Sequence, residues 1–140
     1  LARSLIIPAG GSAEPVTHSA IEERRAKVHM RGKDSFKVAV KSLHASSQAA
    51  LDELGMRGSD LDWICPHQAN MRIIDLAVSK LGVPRDKMLT NIDKVGNTSS
   101  ASIPILLDQS VRSGKVVPGD RVLLCALGAG VSWGSAVITV

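Results

Sequence analysis

The sequence predicts an α/β domain in which a mixed sheet is covered by helices. Three observations carry that prediction. Stretches with helical spacing of apolar residues alternate with short strand-like runs, the pattern of a sheet with helices packed on it. Two of the runs, "DWIC" and "VLLCAL", are apolar throughout instead of alternating, as expected when both faces of a sheet are buried. Residues of the apolar classes make up 44% of the 140-residue chain, enough for one ordinary domain with a real core. A domain of this size buries roughly 68% of its unfolded surface.

The elements follow in order. "LARSLIIPAGG" opens like the end of a strand and has no methionine, whereas "GSAVITV" reads as strand to the last residue. That asymmetry predicts the C-terminal half of a longer chain. Residues 8–33 are rich in Gly, Pro, Ser and charge and show little periodicity. They predict a long loop with a short strand at "KVHMR". From Asp34, Phe36, Val40, Leu43, Ser47, Leu51 and Leu54 recur at helical spacing, with Asp34 as N-cap and Gly55 as stop. Lys37, Lys41 and Gln48 should face water or a partner.

"GSDLDWIC" predicts a turn into a strand. Asn70 can cap a second helix with Ile73, Ile74, Ala77, Val78 and Leu81 on its apolar face and Gly82 closing it. "VPRDKM" predicts a turn or short helix, and "MLTNI" a short strand. A helix should span about Ser99 to Ser113, starting late because Pro104 is tolerated only near a helix N-terminus. "PGDR" then turns into the strand "RVLLCAL", "GAG" turns back, and "VSWGSAVITV" is a final antiparallel strand.

Composition excludes several functions. One Phe, two Trp and no Tyr leave no stacking platforms for single-stranded nucleic acid. The four histidines are scattered, and no CxxC or HxxxH pattern suggests a metal site. No secretory signal or membrane-length apolar run is visible, and Cys65 and Cys125 sit in apolar runs as buried thiols. These features predict a reducing cytoplasm. The net charge of +4, from 17 Lys+Arg against 13 Asp+Glu, fits a solvated surface or a docking face for an anionic partner.

Three stretches could carry chemistry. His67 lies in "DWICPHQANMR", at the end of a buried strand and before a helix. Ligands of open α/β sheets bind in the crevice beyond such strand ends. A structural histidine satisfied by neighbouring backbone would sit there equally well. Gln68 and Asn70 beside it read as cap and turn residues. Asn97, in "KVGNTSSASIP", reads either as part of a helix-start cluster or as an amide aimed at a ligand from a second strand-to-helix loop. Two N–H donors converging on one oxygen stabilise developing negative charge. "LGAGVSWG" offers either a tight hairpin or a backbone N–H near a ligand.

A Cys65–His67 nucleophilic pair is disfavoured. Same-face residues on a strand are about 6.5 Å apart, whereas a nucleophile needs its base at about 3 Å. The sequence therefore offers a base and oxyanion donors without a nucleophile.

"PHQANMRII", "GNTSSASIP" and "LGAGVSWGSAVI", in this order, resemble the C-terminal half of β-ketoacyl-acyl-carrier-protein synthase III, and "LIIPAGGS" and "HMRGKDSFKVAV" fit the same family. The resemblance covers essentially residues 1–140. It implies the C-terminal half of a thiolase-like fold, from an enzyme that is usually a homodimer. The implied activity joins acetyl-CoA, or another short acyl-CoA, to malonyl-acyl carrier protein with loss of CO2, starting fatty-acid synthesis.

In that family a cysteine takes the acyl group, and it belongs to the N-terminal half, outside this chain. His67 matches the family's catalytic histidine and Asn97 its catalytic asparagine. Ala129 matches the residue whose backbone N–H completes the acyl-enzyme's oxyanion site. Met30, Gly32, Ala69 and Asn70 match the walls of the CoA pantetheine tunnel, and Arg72 matches a basic residue of the carrier-protein docking face.

No cofactor is implied, because the CoA and carrier-protein thioesters are substrates. The expected partners are acyl carrier protein, acyl-CoA and the missing N-terminal half, with no nucleic acid and no membrane. The expected place is the cytoplasm, or the plastid stroma in a plant. Alone, the fragment is expected to be inactive. Gly128-Ala129-Gly130 replaces three glycines common in the family, and Leu127 replaces an aromatic found in some members; both bear on primer choice. The alternatives are a condensing enzyme of secondary metabolism with a different primer, or a fragment that binds CoA or carrier protein without turnover.

Overall fold

The computed structural model describes residues 5–128 and 131–140, apart from the side chain of Asp34. The chain divides into two compact units, residues 1–38 with 128–132, and residues 39–127 with 133–140.

In the first unit, strands β1 (Leu5–Ile6) and β2 (His29–Met30) pair antiparallel, Leu5 opposite Met30 and Ile6 opposite His29. The predicted "KVHMR" strand is thus two residues long. The predicted loop also holds a helix, α1 (His18–Glu22), whose N-cap Thr17 accepts a hydrogen bond from the Ala20 amide at 3.1 Å. Only Ala20 of its five residues is buried, so no periodicity announced it.

Helix α2 runs Gly32–Glu53, and the Ser35 amide already bonds the Arg31 carbonyl at 3.0 Å. Asp34 therefore lies inside the first turn and is not the cap. Leu54, predicted on the apolar face, falls beyond the helix end and is exposed.

The second unit is built on the sheet β3 (Trp63–Pro66), β4 (Arg121–Gly128) and β5 (Ser132–Thr139), in that order. β3 and β4 are parallel, with Ile64 opposite Leu123 and Pro66 opposite Cys125. Bonds from Gly119 to the Val140 carbonyl and from Val140 to the Asp120 carbonyl set the end of β5 beside the start of β4, so β5 returns antiparallel. The sheet is mixed, as predicted.

Both of its faces are covered. Ile64, Leu123 and Cys125 pack with Leu43 and Leu51 of α2 and with Ile74, Ala77 and Val78 of α3 (Met71–Ser79). Cys65 and Val122 pack with Leu106 of α5 (Ser102–Arg112) and with Leu89. Successive strand residues join opposite clusters, which is the period of a pleated strand. Each fully buried aliphatic side chain contributes about 1.5–3 kcal/mol. This two-sided burial explains why the strand runs lack polar alternation.

Asn70 caps α3 as predicted, its side chain accepting from the Arg72 amide at 3.0 Å. The 3-10 turn Arg85–Lys87 occupies "VPRDKM". "MLTNI" makes only a single bridge, Met88 beside Ile64, before the chain turns into α4 (Ile92–Val95). A 3-10 turn at Ser99–Ala101 precedes α5, which starts at Ser102 so that Pro104 falls in its first turn. No helix among the described residues is long and apolar enough to cross a membrane.

Candidate functional site

His67 is the first residue after β3, and the sheet fixes its backbone. Its amide donates to the Cys125 carbonyl of β4 at 2.8 Å, and its own carbonyl accepts from the Ala69 amide at 2.9 Å. The imidazole is half-buried, and its Nδ1 lies 2.5 Å from Ser102 Oγ. Burial lowers the histidine's pKa from its ordinary 6.5, so the ring is neutral at pH 7. Ser102 is 1% exposed and opens α5. Its oxygen also accepts the Gln68 amide at 3.4 Å.

Gln68 is the second fixed point. It is fully buried, which corrects its expected role as a simple cap or turn residue. Its Nε2 donates to the Pro66 carbonyl at 2.8 Å, within the turn that carries His67. Its Oε1 accepts from Thr90 Oγ1 and from the Asn91 and Ile92 amides, each at 3.2 Å. The side chain thus caps α4 from outside that helix. The same bonds explain why the predicted "MLTNI" strand stops: amides that would extend a ladder are drawn onto a buried side-chain oxygen.

Asn97 follows Gly96, whose φ of 65° and ψ of −155° are open essentially to glycine alone. That glycine turns the chain out of α4. The Asn97 Oδ1 accepts the Ser99 amide at 2.9 Å. Asn97 is exposed, and because a backbone N–H can only donate, this bond engages the oxygen and leaves the NH2 for another partner. Ser99 itself has a φ of 56°, uncommon for a non-glycine residue. From Asn97 the chain passes through the Ser99–Ala101 turn to Ser102, whose hydroxyl holds His67. Ser102 therefore joins the two loops that the sequence singled out.

The remaining candidates fall in several places. Ala69 is half-buried between His67 and the cap residue Asn70, which is exposed. Arg72, in the first turn of α3, is exposed. In the other unit, Met30 is exposed and lines a groove of about 570 Å³ with Ile6, Pro8, Glu14, His29 and Arg31. Gly32 opens α2. Ala129 lies outside the described residues.

The two thiols are poor nucleophiles. Burial pushes Cys65 up to about 12 and Cys125 up to about 11. Cys65 Sγ is directed at the Ile103 carbonyl, 3.8 Å away, while His67 Nδ1 is engaged by Ser102, so the two do not form a catalytic pair. Among the described residues, no group of three His, Cys, Asp or Glu side chains is placed to hold a metal ion.

The sequence pointed to His67 and Asn97 but missed Ser102 and Gln68. Ser102 was one of several serines in a polar cluster, with nothing to distinguish the one that reaches the imidazole. Gln68 offered a signal: an amide directly after a buried strand must find internal partners.

Residues 51–140 match the family model described as 3-oxoacyl-[acyl-carrier-protein (ACP)] synthase III C terminal. The chain is 42% identical over 134 residues to the beta-ketoacyl-[acyl-carrier-protein] synthase III of Caldanaerobacter subterraneus subsp. tengcongensis, covering 96% of this chain and 40% of that protein. The crystal structure of the beta-ketoacyl-[acyl carrier protein] synthase III from Thermus thermophilus superposes with a TM-score of 0.83 at 35% identity, covering 99% of this chain and 42% of the other. The priming beta-ketosynthase from the R1128 polyketide biosynthetic pathway superposes with a TM-score of 0.82, also at 35% identity, covering 99% and 41%. The fold is thus that of the C-terminal half of a thiolase-like condensing enzyme. The chain spans about 40% of the length of the curated relative it matches.

Proposed function

Because the chain belongs to the family of the 3-oxoacyl-[acyl-carrier-protein] synthase III C-terminal domain, we propose that it is the decarboxylating half of a condensing enzyme. The enzyme joins a short acyl-CoA to malonyl-acyl carrier protein and initiates fatty-acid synthesis. One observation supports the assignment: Ser102 engages His67 at Nδ1 and the Ser99 amide engages Asn97 at Oδ1, so each side chain keeps its other polar edge, Nε2 and NH2, for a ligand.

The chemistry follows from those edges. The bond between the malonyl carboxylate and its α-carbon breaks, and CO2 leaves. The electron pair stays on the α-carbon and delocalises onto the thioester oxygen as an enolate. His67 Nε2–H and the Asn97 NH2 hydrogen-bond that oxygen as its charge develops. A neutral imidazole suits the task, because it donates without needing to release a proton. The enolate carbon then attacks the acyl thioester on a cysteine of the other half. A carbon–carbon bond forms and the cysteine leaves as thiolate.

The remaining assignments belong to the same proposal. The Ala129 amide supports the acyl-enzyme oxyanion. Ala69 and Asn70, beside His67, line the pantetheine path, and exposed Arg72 meets the acidic carrier protein. The CoA and carrier-protein thioesters are substrates, so no cofactor is needed. The working enzyme contains the nucleophile-bearing half, is a homodimer and acts in the cytoplasm or plastid stroma. These 140 residues alone are inactive.

The test is CoA release from acetyl-CoA plus malonyl-carrier protein, by this chain alone and with the upstream half added. Activity only with both halves supports the proposal. Activity of this chain alone contradicts it, because both of its thiols are buried and hard to ionise.

A second reading has its own observation. The chain is 35% identical to the priming beta-ketosynthase of a polyketide pathway, the same figure as for the Thermus enzyme. A condensing enzyme of secondary metabolism with a different primer would use the same His67 and Asn97 chemistry. Turnover with longer or branched acyl-CoA but not with acetyl-CoA would select it.

A further inference from the structure

We propose that Ser102 is the positioning residue that sets the His67 tautomer, donating its hydroxyl proton to Nδ1 so that the ring proton resides on Nε2. The inference rests on the proposed decarboxylation role of His67 and names the group that makes that role possible. A neutral imidazole has one N–H, and only the Nε2–H form presents a donor on the side away from Ser102.

The hydrogen-bond inventory favours this form. Ser102 Oγ lies 2.5 Å from Nδ1 and accepts the Gln68 amide at 3.4 Å. Its one proton needs an acceptor, and among the described residues the only one hydrogen-bonded to it is Nδ1. In the opposite tautomer, Nδ1–H and the Gln68 N–H would both point at the serine oxygen. The hydroxyl proton of a residue only 1% exposed would then have no acceptor, and buried polar groups are rarely left so.

The geometry is also stiff. Ser102 is the first residue of α5, which packs against β3, and the His67 amide is bonded to Cys125 of β4. The donor is therefore carried by a regular helix, and the ring by a residue whose backbone is bonded to β4, within one packed unit.

The test labels the histidines of the intact protein with 15N and reads the His67 ring by long-range proton–nitrogen correlation, with His67→Ala to assign it. The wild-type spectrum should show a bare Nδ1 and a protonated Nε2; a protonated Nδ1 overturns the proposal without any further variant. Ser102→Ala should mix the tautomers and slow malonyl-thioester decarboxylation about tenfold, the rate equivalent of one hydrogen bond. Ser102→Thr, which keeps the hydroxyl, should restore both. An unchanged tautomer and rate in Ser102→Ala overturns the proposal. If Ser102→Ala does not fold, the wild-type and Ser102→Thr spectra decide. Full decarboxylation by His67→Ala would instead overturn the proposed function, a result separable from the tautomer readout.

Discussion

Replacing Gln68 by methionine keeps most of the side chain's volume and removes its amide. The structure states what is lost. The Pro66 carbonyl loses a donor at 2.8 Å, and the Asn91 and Ile92 amides lose an acceptor at 3.2 Å. Thr90 also loses a partner, but it is exposed and can bond water. The Pro66 carbonyl and the Asn91 amide are in buried bonds, and Ile92 is part-buried. At about 1–2 kcal/mol for each buried orphan and roughly half that for the part-buried one, Gln68→Met should cost about 3 kcal/mol. The folding constant then falls on the order of a hundredfold.

Urea denaturation measures this as a lower midpoint at unchanged slope. Amide exchange should localise the damage, with faster exchange at Asn91 and Ile92. Gln48→Met is the control. Gln48 also donates from Nε2 at 2.8 Å, to Asp52, but in an exposed bond, so the change should stay within about 0.5 kcal/mol. A loss at Gln68 below about 1 kcal/mol, with both amides still protected, would refute the reasoning.

Two further outcomes follow from ionisation. Burial lowers the His67 pKa below its unfolded value of 6.5. Between the two values the unfolded state binds more protons, so stability is full above pH 6.5 and falls as pH drops through 6.5 towards the folded pKa. His67→Gln should flatten that part of the stability–pH curve, and decarboxylation should persist below pH 6.5, where an ordinary histidine would be mostly charged. Cys65 and Cys125, pushed up to about 12 and about 11, should resist alkylation at pH 8 in the native state and react once unfolded, as read by peptide mass spectrometry.

The central fold was legible because its causes are local or periodic. The α3 face of Ile74, Ala77 and Val78 repeats at helical spacing, and Asn70 caps it as its position predicts. The apolar runs of β3 and β4 reported burial on both faces, which the two core clusters show. Helix α1 was hidden because its one buried residue leaves no period to read. The "MLTNI" strand was overridden by a partner more than twenty residues away in sequence, the Gln68 amide. For the candidate site, motif order singled out His67 and Asn97. The hydroxyl that joins them depended on which of four neighbouring hydroxyl residues α5 turns inward. Only packing of α5 on β3 decides that, and it chooses Ser102.

The most direct measurement follows CO2 released from malonyl-carrier protein and, separately, acyl transfer from acetyl-CoA, in the intact protein and its His67→Ala and Asn97→Ala variants. Each variant should lose decarboxylation by about a hundredfold or more, the usual effect of deleting one oxyanion donor, while acyl transfer falls much less. Equal loss of both activities, or decarboxylation that survives either substitution, would contradict the assignment of His67 and Asn97 to the enolate oxygen.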